Sequence, residues 1–135
     1  MLKVSKKVYN QILELFDLKQ EDGGILGIKD GVISAFCFDK GDNERAYTIN
    51  VAKFSDELDK WDQEGIEFVG FIHSHIYGDG EPSIRDFTYV KKFLSANDWL
   101  KELLFPIVYK KDDSTVIQFH LFKDNEFSKL NYIVV

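Results

Sequence analysis

Residues 68–86 read FVGFIHSHIYGDGEPSIRD, and the reading of the whole chain turns on them. The run Phe68-Val69-Gly70-Phe71-Ile72 is apolar without alternation, which predicts a strand buried on both faces. Side chains alternate along a strand, so His73 and His75 point the same way and Ser74 points to the other face. Two of the chain's three histidines lie here, one residue apart. The loop Tyr77-Gly78-Asp79-Gly80 lets the chain reverse. Beyond it Ile84, Phe87, Val90, Phe93 and Leu94 recur at 3-4 spacing, the pattern of an amphipathic helix. A helix beginning at Ser83 swings Asp86 back toward the end of the histidine strand.

Working outward, Ser5 can cap a first helix running to about Leu18, with Val4 and Tyr9 placed as a hydrophobic staple. Residues 20–24 form a polar, glycine-rich break. Residues 25–28, 32–38 and 45–51 read as a three-stranded meander, with turns at 29–31 and 40–43. A helix over 54–64 ends at Gly65, and the histidine strand occupies 66–75. Strands near 103–109, 115–122 and 130–135 complete the chain, with Pro106 marking an edge position or a bulge. No repeat or linker interrupts residues 1–135, so the expectation is one α/β domain with a mixed, mainly antiparallel sheet flanked by helices.

Composition narrows the functional classes. With 44% hydrophobic and 30% charged residues the chain is that of a soluble globular protein. Its 23 acidic and 17 basic side chains give a net charge of -6, which opposes the backbone of nucleic acid. No apolar stretch approaches the roughly 20 residues needed to span a bilayer. The N-terminal apolar residues have helical spacing rather than the continuity of a signal-peptide core. The single cysteine, Cys37, excludes an intrachain disulfide and suits a reducing, cytoplasmic location. Cys37 sits in an apolar strand with no basic neighbour in sequence and reads as a packed thiol rather than a nucleophile.

A catalytic zinc site takes three protein ligands and leaves a fourth position for water, and His73, His75 and Asp86 supply that number and kind. Ser83 and Asp86 also fit a helix capping box, which by itself accounts for that pair. Asp79 is a second candidate carboxylate, but it lies between glycines at a flexible tip. Other His-x-His chemistries fail on these residues. Tyr77 and Gly78 stand where a metallo-beta-lactamase pattern needs Asp and His, and one cysteine cannot make the Cys-x-x-Cys of a zinc deaminase. His120 alternates with apolar neighbours and reads as a partly exposed strand residue, not a ligand.

The pattern His-x-His, seven residues, Ser, two residues, Asp resembles that of the JAMM (MPN-plus, or JAB) metalloprotease family. Upstream, Glu21-Asp22-Gly23-Gly24-Ile25-Leu26 is similar to the Glu-x-Gly-Gly-x-Leu signature of prokaryotic members. The resemblance implies an MPN (JAB)-like fold and one Zn2+ per chain on His73, His75 and Asp86. It implies Glu21 as general acid/base, with Asp22 a shorter-armed alternative, and Ser83 as donor to the oxyanion. It further implies hydrolysis of a peptide or isopeptide bond at the C-terminal end of a ubiquitin-like or sulfur-carrier-like protein. Two departures stand out. Gly27 follows Leu26 directly, where members commonly place another residue, which bears on strand register. The chain is also too compact for the inserted segments with which eukaryotic deubiquitinating members grip ubiquitin. A processing peptidase that trims short C-terminal extensions, and a noncatalytic MPN-type scaffold, are the alternatives.

Overall fold

The computed structural model describes residues 1–135. In chain order the elements are β1 (Leu2–Val4), α1 (Lys6–Leu15), β2 (Glu21–Lys29) and β3 (Val32–Asn43). A 3-10 turn (Val51–Phe54), α2 (Ser55–Gln63), β4 (Glu67–Ser74) and α3 (Ile84–Ala96) follow. The chain ends with β5 (Glu102–Leu104), β6 (Ile107–Lys111), β7 (Ser114–Lys123), β8 (Glu126–Leu130) and β9 (Tyr132–Val134). The strands make one sheet in the order β5-β7-β6-β4-β2-β3-β1-β9, with β8 beside β7. No helix is long and apolar enough to cross a membrane.

The apolar run before the histidines becomes β4, antiparallel to β2 on one side and parallel to β6 on the other. Its lack of alternation has a physical cause: both faces of the sheet are covered. Ile72, Leu26 and Val108 join Val8 and Ile12 of α1 in one core, while their sequence neighbours Phe71, Ile25 and Ile107 join Trp61 of α2 and Val90 of α3 in the other. Phe71 anchors α3, meeting Phe93 edge-on at 4.8 Å between ring centres and Tyr89 at 5.9 Å. Burying one such ring stabilises by about 1.5–3 kcal/mol, so the body of α3 is held firmly against β4.

Several sequence expectations are corrected. Helix α1 stops at Leu15, not Leu18, whose φ of +60° is left-handed. Residues 21–24 are strand, not a break. Gly23 and Gly24 are glycines because the Tyr47 ring, the Ile72 carbonyl and the Cys37 carbonyl press where a Cβ would stand. The meander has two strands rather than three. β3 continues through the expected turn to Asn43, which pairs with Glu21, and residues 44–50 then run outside any strand into the 3-10 turn capped by Asn50. The β2 register slips near Gly27 against both neighbours, where the sequence departs from the family signature.

At the C-terminal side, the expected strand 103–109 is split at Phe105-Pro106 into β5 and β6. Pro106 cannot donate to a ladder, and its carbonyl instead accepts the His73 N–H at 3.2 Å. The last expected strand is β9, while β8 before it and β1 at the N-terminus are strands the sequence did not announce.

Candidate metal centre

His73 is the penultimate residue of β4, and His75 follows the strand's end with its N–H still bonded to Val108 O at 2.9 Å. Alternation then does what the sequence predicts. Both imidazoles lie on the α3 face, and Ser74 turns to the other, where its Oγ accepts the Asp22 N–H at 2.9 Å. Asp86 sits in the first turn of α3 inside a capping box. Its N–H donates to Ser83 Oγ at 3.1 Å, and its Oδ2 accepts the Ser83 N–H at 2.9 Å.

These elements bring three donor groups to one point. The Nε2 atoms of His73 and His75 are 3.0 Å apart, and the Asp86 oxygens lie 3.3 Å and 3.4 Å from them. A tetrahedral zinc with ligands at about 2.0–2.1 Å has ligand-to-ligand edges of roughly 3.3–3.4 Å. The two nitrogen-to-oxygen distances, one to each Asp86 oxygen, match that figure, and the nitrogen-to-nitrogen distance is about 0.3 Å shorter than it. Tautomer chemistry agrees for His75: its Nδ1 faces the Asp79 carbonyl at 2.9 Å, an acceptor only, so Nδ1 carries the proton and Nε2 presents a lone pair. His73 lacks such an anchor. Its buried Nδ1 has no partner, and the ring is held by packing, 4.8 Å from Phe105 and 4.7 Å from His75 between centres. A group of His73, His75 and Asp86 could thus hold a metal ion.

The electrostatics are those of a partly buried charged cluster. Burial alone would raise the Asp86 carboxyl, but its close contacts with the His73 and His75 imidazoles, with help from the Ser83 N–H, hold it well below the usual carboxylate range. Burial lowers His73, a shift that Asp86 opposes without reversing. For His75 burial also acts downward, but Asp86, the Asp79 carbonyl and Glu21 outweigh it and the net shift is upward. The Glu21 carboxyl is raised, chiefly by burial; the Asp86 charge adds to this, while His75 and Arg85 work against it.

Of the residues singled out from sequence, Glu21, His75, Ser83 and Asp86 line one open cleft of about 400 Å³. His73 lies behind it, sharing with Asp86 a cavity of about 30 Å³, room for a water molecule. Asp22 faces away from the cleft. Its carboxylate accepts the Gly41 N–H at 2.6 Å and the Gln20 side chain at 3.0 Å. Asp79 contributes its carbonyl to His75, while its carboxylate accepts the Glu81 N–H at 3.0 Å. His120 is buried, not partly exposed, because β8 and Phe127 cover its strand. Cys37 is half-buried, and its thiol is pushed up by burial and by Glu57 and Asp39. The sequence carries no signal for Tyr47, whose ring lies against Gly23 and whose hydroxyl donates to Asp39 at 2.7 Å, although it lines both the cleft and the cavity.

Solved structures share this architecture over its full length. A protein from Desulfitobacterium hafniense, solved in solution, matches with a TM-score of 0.77 at 17% identity, covering 100% of this chain and 93% of that one. The crystal structure of a JAB1/MPN domain protein from Archaeoglobus fulgidus matches with a TM-score of 0.60 at 17% identity, covering 100% and 97%. No family model matches the sequence, and no curated protein matches it. The fold is therefore of the MPN/JAB type, a mixed sheet flanked by helices. On that fold, this chain sets a His-His-Asp group at the carboxyl end of β4.

Proposed function

We propose that this protein is a JAMM-type zinc metallopeptidase, hydrolysing a peptide or isopeptide bond at the C-terminal end of a ubiquitin-like or sulfur-carrier-like protein. The observation that carries the reading is the convergence of His73, His75 and Asp86, with donor atoms 3.0 to 3.4 Å apart, and with Glu21 and Ser83 on the same cleft. One zinc ion bound by these three side chains supplies Lewis acidity, which polarises a carbonyl and lowers the pKa of water toward neutrality. Glu21 takes a proton from the attacking water and returns it to the leaving nitrogen. Its raised pKa suits that double duty, since a more basic carboxylate holds the proton it must later deliver.

Ser83 Oγ accepts the Asp86 N–H, which leaves its own O–H to donate to the carbonyl oxygen as negative charge develops there. Such a donor contributes about 3 kcal/mol. The substrate's tail lies extended along the cleft wall formed by Arg45, Ala46 and Tyr47, a segment outside the sheet's ladder, so main-chain pairing is the natural mode of recognition.

The test combines elemental analysis with a panel of modifier fusions, linear and lysine-linked. Wild type is expected to carry about one zinc per chain and to release product. Glu21→Gln is expected to keep the zinc and release none. Zinc-loaded wild type that cleaves nothing in the panel would hand the case to the noncatalytic scaffold.

A further inference from the structure

Among seventeen basic residues the chain has only two arginines, Arg45 and Arg85, and both line the cleft beside the candidate metal centre; no lysine does. They come from different elements. Arg45 belongs to the irregular segment after β3, and Arg85 to the first turn of α3, one residue before Asp86. Arg85 Nη2 donates to Thr48 Oγ1 at 3.0 Å, which ties the helix to that segment and fixes the guanidinium at the cleft wall. Neither arginine forms an ion pair within the chain, although acidic residues outnumber basic ones and five other ion pairs form. Arginine presents a planar fork of donors matched to a carboxylate, whereas lysine is a point charge. Two guanidinium groups without an ion-pair partner in the chain, on the wall of one cleft, are arranged for an anionic group brought in from outside.

We propose that Arg45 and Arg85 form a subsite for a carboxylate that the substrate carries within one or two residues of the scissile bond. The inference rests on the peptidase reading and names its substrate class: chains whose cleaved end bears a carboxylate beside the bond. A doubly charged phosphate is the poorer match, because Asp79, Glu81, Glu21 and Asp86 also line the cleft and repel it more than they repel a singly charged carboxylate. The carboxylate has two sources. One is the α-carboxylate of a residue at the very C-terminus, which makes the enzyme a trimmer of short extensions. The other is an Asp or Glu side chain next to the bond, which leaves the downstream chain unrestricted.

Three probes separate these: acetyl-tetra-alanine with a free C-terminus, its carboxamide, and the carboxamide with Asp as the last residue. Binding is measured by calorimetry or NMR titration on metal-free Glu21→Gln protein. Hydrolysis is then absent, and a carboxylate that would ligate the metal cannot be mistaken for one held by the arginines. At least one carboxylate probe is expected to bind about tenfold tighter than the carboxamide, with the ratio falling toward one in Arg45→Gln and Arg85→Gln. Preference for the free C-terminus alone assigns the trimmer, and preference for both carboxylates assigns the acidic side chain as sufficient. Equal binding of all three probes, or a preference that survives both arginine substitutions, overturns the subsite. The peptidase reading is judged separately, by hydrolysis of the modifier fusions with zinc-loaded wild type.

Discussion

At the N-terminus of α1 the Ser5 hydroxyl accepts the Val8 N–H at 3.1 Å, and at the N-terminus of α3 the Ser83 hydroxyl accepts the Asp86 N–H at 3.1 Å. The local bond is the same, and the third helical residue makes the difference. Val8 points into the core beneath the sheet, so the Ser5 cap sets the direction of a packing helix and nothing more. Asp86 returns a bond to the Ser83 N–H, and its two oxygens also stand within 3.4 Å of two imidazole nitrogens from another element. A capping box explains why a carboxylate occupies that position and which way it turns. It does not explain why His73 and His75 meet it there. Helix capping has thus oriented one donor of the group in advance, and the candidate centre is distinguished from an ordinary cap only by what converges on it.

The largest expected effect comes from separating those two roles at Asp86. Asp86→Asn keeps an oxygen that can accept the Ser83 N–H but removes the charge facing the histidines. Zinc affinity is expected to fall by more than about 100-fold and hydrolysis to be lost. The counterpart at α1, Val8→Ala, is expected to cost about 2 kcal/mol of stability through the cavity it leaves, with zinc content unchanged. Elemental analysis and urea unfolding on both variants check this. If Asp86→Asn held zinc as wild type does, the two helix starts would be alike after all.

A smaller effect sharpens the comparison at the caps themselves. Ser5→Ala and Ser83→Ala should each lose about 1 kcal/mol of stability, because each frees one backbone N–H. Only Ser83→Ala should also lower kcat/KM, by about 100-fold, because only that hydroxyl faces the cleft. Equal losses of activity in the two variants would reduce Ser83 to a cap.

The same contrast explains what could be read from the sequence. The histidine strand, α3 and their caps were legible because periodicity and capping are local, and so was the alternation that puts His73 and His75 on one face. The MPN/JAB-type fold was implied by the resemblance of those residues to the JAMM pattern. Residues 45–51 misled because their composition suits a strand, but β3 runs on through the expected turn to Asn43 and the chain then leaves the sheet without pairing. Glycines 23 and 24 look like a turn in sequence, yet they are strand positions vacated for Tyr47 and for neighbouring carbonyls. The carbonyl that fixes the His75 tautomer is only four residues away but depends on how the loop folds, and the grouping of Arg45 with Arg85 depends on tertiary approach, which no window of sequence contains.

Within the sheet, His73 and His120 repeat the comparison at the scale of single residues. Both are buried, both have one ring nitrogen without a partner, and burial lowers the pKa of both. His73 meets two further donors, whereas the one hydrogen-bonding contact of His120 is from Nδ1 to the Phe105 carbonyl at 3.2 Å. That bond and the Glu81 charge oppose the shift at His120 without cancelling it. His120 should therefore act on stability and not on zinc. Its folded pKa lies below the unfolded value of about 6.5, so the unfolded chain binds more protons between the two. The stability held by neutral, buried His120 is then full above pH 6.5 and lost as pH falls through the folded value. The slope from this one residue is at most about 1.4 kcal/mol per pH unit. Urea unfolding of metal-free wild type and His120→Gln between pH 7.5 and 5, conditions in which about one proton is at issue, should show a gap that narrows on acidification. Zinc content at pH 7.5, a working condition near neutrality, should match wild type. A gap that stays constant with pH, or zinc lost from His120→Gln, would mean that this third histidine belongs with the other two.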